Sequence, residues 1–137
     1  MPTTVRRVNY AYVTVTNKAG EAARILEALR DGNVNLLAFS GFPQGRNQAQ
    51  VDVVTDDIAA LKATAKRHKL KLSRTKRALL AQGTDEIGAA LPPVAKLAEA
   101  KINVIAAVAV AGGLGRFGLL FWVAPRDYNR AAKLLGA

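Results

Sequence analysis

The sequence has no cysteine, one histidine, one tryptophan and one methionine among its 137 residues. Missing thiols exclude disulfides, thiolate metal centres and cysteine nucleophiles at once, while leaving the redox compartment open. His68 lies between Arg67 and Lys69 with no second histidine and no cysteine to join it, so no metal site is expected. Acids are scarce as well: ten Asp and Glu stand against twenty Lys and Arg, a net charge of +10. The adjacent acids Asp56-Asp57 and Asp85-Glu86 read as cap and first-turn residues of helices, and Ser40 and Ser73 have no base that the sequence places beside them. No catalytic constellation emerges, so neither an enzyme nor a cofactor is expected. A long unbroken apolar run is also missing. The most apolar stretch, 104–124, is interrupted by Gly112, Gly113, Gly115, Gly118 and Arg116. A membrane span needs roughly 20 apolar residues with few or no charges, so the stretch reads as two strands and a turn. The opening residues lack the apolar segment of a secretory signal, and a cytoplasmic location is the expectation.

The basic residues are concentrated. Lys62, Lys66, Arg67, Lys69, Lys71, Arg74, Lys76 and Arg77 follow one another without an intervening acid. That density attracts polyanions by a sequence-independent electrostatic term. It is equally the composition of a solvated helix face followed by an exposed strand.

What the chain does have is a repeat. Thr16-Asn17-Lys18-Ala19-Gly20-Glu21-Ala22 returns as Thr84-Asp85-Glu86-Ile87-Gly88-Ala89-Ala90, and Asn33-Val34-Asn35-Leu36 returns as Lys101-Ile102-Asn103-Val104, both at a spacing of 68 (84 − 16, 103 − 35). Two copies of one supersecondary unit follow. Gly45-Arg46 matches Gly115-Arg116 at a spacing of 70 (115 − 45), which predicts two extra residues between Asn103 and Gly115 in the second copy.

Hydrophobic periods give the elements. Val8 to Thr16 alternates as a strand. Ala22, Ile25, Leu26 and Leu29 mark a helical stripe, and Gly32 is suited to end that helix in the left-handed conformation. Asn35 to Phe42 predicts a second strand and Gln48 to Val54 a third, with Gln48, Gln50 and Asp52 on a wet face. A second helix capped at Thr55 or Asp56 carries Ile58, Leu61 and Ala65, and Leu70 and Leu72 begin a fourth strand. The second copy predicts strands at 78–82, 103–111 and 117–123 and helices at 91–101 and 125–135, with no fourth strand of its own. Pro92 and Pro93 are tolerable only in a first helical turn, which delays that helix and lengthens the loop before it. Order and number of elements give an α+β fold of two ferredoxin-like βαββαβ units, 1–76 and 77–137, each an antiparallel sheet with helices on one face. In the second unit Val104 to Val108 and Leu119 to Val123 are apolar on both faces, so a cover is expected, most simply a second copy of the chain in a homodimer.

Around Gly20 and Gly88 the repeat resembles the ACT domain, a βαββαβ ligand-binding module. Its signature is a strand, a loop of the form Asp-Arg-Pro-Gly leading into a helix, and a small-x-Asn-hydrophobic step into the second strand. The loops here read Asn17-Lys18-Ala19-Gly20 and Asp85-Glu86-Ile87-Gly88, with Ala19 and Ile87 in place of the proline. The resemblance covers nearly the whole chain and is similar to the stand-alone tandem ACT proteins of bacteria. It implies a regulatory protein that binds a free amino acid or similar small effector between paired units. By that resemblance the ligand-binding residues are Asn17, Gly20, Glu21, Ala22 and Asn35 in the first unit and Asp85, Ile87, Gly88, Ala89 and Asn103 in the second. The chemistry suits the role. A glycine turn presents free N–H groups and the positive end of a helix dipole to a carboxylate, and an asparagine offers both a donor and an acceptor.

Two alternatives come from other classes. RNA-recognition motifs share the element order and stack bases on sheet aromatics; Tyr10, Tyr12 and the basic segment 62–77 would suit, but Gln48, Gln50 and Asp52 stand where the third strand should carry aromatics. The other is a structural partner whose apolar sheet docks on a second protein with no ligand of its own.

Overall fold

A computed structural model describes residues 3–137. In chain order its elements are β1 (Thr4–Thr16), α1 (Glu21–Asp31), β2 (Ala38–Pro43), β3 (Gln48–Thr55), α2 (Ile58–Arg67), β4 (Lys76–Thr84), α3 (Leu91–Glu99), β5 (Val104–Gly113), β6 (Arg116–Val123), a 3₁₀ turn at Pro125–Asp127 and α4 (Tyr128–Leu134). Hydrogen-bonded neighbours run β2-β3-β1 for the part of β1 from Asn9 on, and β1-β4-β6-β5 for the part of β1 before it. Two compact units divide the described residues: Asn9–Lys76, and Arg77–Ala137 together with 3–8.

In the unit 9–76, β1 and β2 both run antiparallel to β3, pairing Val13 and Gly41 with Val51 and pairing Ala11 and Phe39 with Val53. Ala11, Val13, Ile25, Leu29, Val51, Val53 and Leu61 close the core between sheet and helices, each 4% exposed or less. The fourth strand expected from Leu70 shrinks to a single bridge, Leu72 to Val13. Ser73 shows why. Its Oγ accepts from the Tyr12 amide at 2.9 Å and its own amide donates to the Tyr12 carbonyl at 2.8 Å, so a hydroxyl takes a ladder position that a backbone carbonyl would otherwise fill.

In the other unit, β4 and β5 both run antiparallel to β6, with Leu79 and Ala107 opposite Phe121. Phe121, Leu79, Leu97, Ala131 and Ala132 have no exposed surface. This unit lacks a last strand of its own, as expected, and the opening of β1 takes that position. Thr3 lies against Gly83 while Arg7 and Arg77 flank the same Tyr128 ring, so the opening of β1 runs antiparallel to β4. The prolines delay α3 as the sequence predicts: the loop before it spans 85–90, against 17–20 before α1.

The repeat is more regular than the glycines suggested. Pro43 pairs with Ala49 and Ala111 with Phe117; Ala38 pairs with Val54 and Ala106 with Trp122, so both pairs recur at a spacing of 68 (111 − 43, 106 − 38). The two extra residues expected between Asn103 and Gly115 are therefore not there. Nor do they lie after β6: from the strand end to the left-handed residue that closes the next helix is 14 residues in the first copy (69 − 55) and 13 in the second (136 − 123), and the 3₁₀ turn at Pro125–Asp127 takes the place of the first turn of α2. An insertion inside the hairpin would have moved every cross-strand pair.

Gly32 also departs from expectation. Its φ is −88°, and the left-handed residue is the next one, Asn33, at +55°. The four α-helices among the described residues all end this way, with Asn33, Lys69, Lys101 and Gly136 left-handed. The following amides of Val34, Leu70, Ile102 and Ala137 reach back to the carbonyls of Leu29, Ala65, Leu97 and Ala132 at 2.8–2.9 Å. These are Schellman closures, and the apolar residue after the left-handed one tucks into the core. Gly32 is glycine for another reason: a Cβ there would collide with Thr64 Oγ1 and lie 2.9 Å from Thr64 Cβ.

The sheet face expected to be wet in the first unit is partly dry. Tyr10 is 6% and Asp52 4% exposed. Asp52 accepts from Gln50 Nε2 at 2.9 Å and has the Lys76 charge nearby. Burial nonetheless dominates and pushes its carboxyl above the ordinary value. A carboxyl whose folded-state pKa is raised binds its proton more tightly folded than unfolded, so its contribution favours folding below the unfolded pKa and is lost as pH rises through the folded one. Asp52→Asn, which keeps an acceptor for Gln50, is expected to raise the thermal midpoint at pH 7 and to flatten the fall in midpoint as pH rises above about 4. Calorimetry of both proteins across that range measures it.

Candidate functional site

The two strand-to-helix loops are built alike. The Asn17 amide donates to the Asn47 carbonyl at 3.1 Å, and at the equivalent place in the second copy the Asp85 amide donates to the Gly115 carbonyl at 2.8 Å. Each loop is thus tied to its β-hairpin turn. Gly20 and Gly88 have φ of +93° and +78°, a conformation costly for a residue with a side chain. A Cβ at either would meet nothing within 4 Å, so the torsion angle, and not crowding, calls for glycine.

Between each loop and the hairpin lies an open cleft. The first, of about 280 Å³, is lined by Asn17, Lys18, Glu21 and Ala22 on the loop side and by Gly41, Phe42, Pro43 and Ala49 on the hairpin side. The second, of about 300 Å³, is lined at the corresponding positions by Asp85, Glu86, Ala89, Ala90, Ala109, Val110, Ala111 and Phe117. All eight correspond at the spacing of the repeat, so the clefts are one feature made twice.

Of the residues expected to bind, the structure gathers Asn17, Glu21 and Ala22 in one cleft and Asp85, Gly88 and Ala89 in the other. Gly20 is the N-terminal flank of α1 without lining the first cleft, and Ile87 points into solvent, fully exposed. Asn35 and Asn103 are exposed and do not line the clefts. Asn35 lies before the start of β2, whereas the cleft uses its end at Gly41–Pro43, about 20 Å away at roughly 3.3 Å per residue. Within a unit, loop and asparagine do not meet. The hairpin walls, Gly41–Pro43 and Ala109–Ala111, went unread in the sequence. Their only signal was the repeat spacing, since small apolar residues at a strand end carry no chemistry of their own.

Electrostatics separate the clefts. No side chain caps α1; the Glu21 amide donates to the Lys18 carbonyl at 3.5 Å, and the next amides of the first turn, those of Ala22 and Ala23, are left for a ligand. Glu21, whose Oε2 accepts from Arg24 Nε at 2.7 Å, and Lys18 give the first cleft both signs of charge. The second has Asp85 and Glu86, and the helix beyond it begins Leu91-Pro92-Pro93, whose prolines bring no N–H. Among the described residues no group of His, Cys, Asp and Glu could hold a metal ion, and no helix is long and apolar enough to cross a membrane.

No protein-family model and no curated protein matches the chain. Solved structures do. A protein of Bacteroides thetaiotaomicron superposes with a TM-score of 0.77 at 15% identity, over 96% of this chain and 88% of that one. The ligand-free regulatory subunit of aspartate kinase from Thermus thermophilus gives 0.60 at 12% identity, over 99% and 95%. A C-terminal regulatory domain described as that of an aspartate kinase from Porphyromonas gingivalis gives 0.53 at 10% identity, over 98% and 94%. The chain has the fold of these regulatory domains, the ACT-type arrangement that the doubled loop and strand pattern led us to expect.

Proposed function

We propose that the protein is a regulatory module, not an enzyme, that binds a free amino acid in the cleft at Asn17–Ala22. The observation that carries this reading is the duplicated cleft itself, at a glycine-led loop opening onto a helix start, in a fold shared with regulatory subunits and domains. In the first cleft the open amides of α1 and the Lys18 ammonium suit a carboxylate, and Glu21 suits an ammonium. The acids of the second cleft repel a carboxylate and leave that copy for another task. Asn35 and Asn103 belong to the site only if a paired unit supplies them. The partner is a second copy: Ile105, Val108 and Val110 of β5 are 58%, 46% and 68% exposed, an apolar edge that a protein in water normally covers.

Thermal-shift measurement against the common amino acids tests the reading. A ligand at a hundredfold excess over its Kd stabilises the folded state by about 2.7 kcal/mol. One or a few amino acids should raise the midpoint; Glu21→Gln should abolish the rise and Asp85→Asn should leave it. If none does so, the amino-acid reading fails. Light scattering tests the dimer: Val110→Lys should leave a monomer where the wild type is a pair, and a monomeric wild type removes that part of the proposal.

The buried Tyr10 argues against base stacking on this sheet, since a ring 6% exposed offers no face to a nucleobase. The exposed basic run from Lys62 to Arg77 still predicts weak polyanion attraction. That attraction should vanish between about 50 and 200 mM salt.

A further inference from the structure

We propose that Arg7, Arg77 and Asn129 form an anion site for the phosphate dianion of a small phosphorylated molecule. Arg7 and Arg77 come from neighbouring strands and converge on one point. Arg7 Nη1 donates to Asn129 Oδ1 at 3.1 Å, and Arg77 Nη1 donates to the same oxygen at 3.3 Å. Both guanidiniums lie over the Tyr128 ring, 5.8 and 4.1 Å from its centre. The ring is a fixed platform: Tyr128 is 2% exposed and its hydroxyl donates to the Ala78 carbonyl at 2.9 Å. Two cations are therefore held side by side, against their mutual repulsion, by an aromatic face and a neutral amide oxygen.

What the pair lacks is a counter-ion. Arg24, Arg30 and Arg130 each have a carboxylate within 3.6 Å, whereas among the described residues neither Arg7 nor Arg77 has one. The nearby acid Asp127 faces Arg130 at 3.6 Å. Each guanidinium has five N–H donors, and here each spends one on Asn129. The remaining donors are exposed with the side chains, and Lys133 stands one turn beyond Asn129 on α4. Guanidinium forks fit the oxygens of phosphate and carboxylate alike, but charge favours phosphate: a dianion neutralises both arginines, and a single carboxylate leaves one uncompensated. The arginines and the platform make a point receptor, not a track for a polymer. A small molecule ending in phosphate is the matching ligand.

Nuclear magnetic resonance titration of the full chain with inorganic phosphate, at ionic strength held constant with chloride, tests the proposal. The expected result is saturable movement of the Asn129 side-chain amide and the arginine Nε–H signals, tighter at pH 7.5 than at 5.5 because inorganic phosphate loses its second proton near neutral pH, above the value of about 6 for a phosphate ester. Arg7→Lys with Arg77→Lys keeps the charge and removes the forks, and should weaken binding at least tenfold. Asn129→Asp places a permanent carboxylate between the arginines; it should raise the thermal midpoint and abolish phosphate binding. Linear, non-saturating shifts would overturn the site, as would wild-type affinity in either variant. Binding of a short oligonucleotide with no saturable response to phosphate would equally overturn it, because the ligand would then be recognised as a polymer.

Discussion

Phe121→Ala is expected to lower the unfolding free energy by about 3–5 kcal/mol, the range for removing a buried aromatic ring. Phe121 is the largest of the side chains with essentially no exposure and sits on β6, between Leu79 of β4 and Ala107 of β5. Its other neighbours in the cluster include Leu97, Ala131 and Ala132. Alanines cannot move in to fill a ring-sized void, so the cavity term adds to the lost transfer energy. Urea unfolding followed by Trp122, the chain's one tryptophan and the next residue on the strand, should show the midpoint falling by an amount on the order of 1–3 M. A shift below a few tenths molar would mean that the cluster is not packed as described.

Gly32→Ala should cost about 1–3 kcal/mol, although alanine is the better helix former. The new methyl would occupy the place of Thr64, which is 1% exposed and cannot swing out. The second copy supplies the control. Ala100 stands at the same position with nearly the same backbone, φ −84° and ψ 4° against −88° and 5°, so the conformation itself accepts a side chain. Counting back from the left-handed residues Lys69 and Gly136 (136 − 69, a spacing of 67), Thr64 corresponds to Ala131. The helix pairs have exchanged sizes: glycine with threonine in one unit, alanine with alanine in the other. Thr64→Ala should therefore partly rescue Gly32→Ala, with a favourable coupling of about 1 kcal/mol or more in a double-mutant cycle. A neutral Gly32→Ala would remove the close approach from the account.

Much of the fold could be read from residues alone. Alternation at Val8–Thr16, the stripe Ala22, Ile25, Leu26, Leu29 and the doubled loops were enough to give element order, fold class and the missing last strand. The errors fall where local pattern competes with a tertiary partner. Glycine at a helix end suggested a left-handed cap, but Thr64 from a distant helix decided it. Matching Gly-Arg pairs suggested a hairpin insertion, but strand register kept the two hairpins at one spacing. Polar Gln50 and Asp52 suggested a wet face, and Asp52 is buried.

The site divides along the same line. Sequence placed the loops, because a left-handed glycine before a helix is a local requirement that leaves a local mark. It could not show that Asn35 lies at the far end of its strand from the cleft, nor that Gly41–Pro43 form the facing wall, since these depend on which end of a strand meets which loop.

The sequence by itself thus determined the repeat, the order of elements and the two loop glycines, all consequences of backbone torsion and hydrophobic period within a few residues. Only the tertiary structure decided that the opening of β1 lies beside β4, that the two clefts differ in charge, and that Arg7 and Arg77, far apart in the chain, meet over one tyrosine. Contacts between distant residues follow from how strands pair and helices pack, and no short stretch of sequence records them.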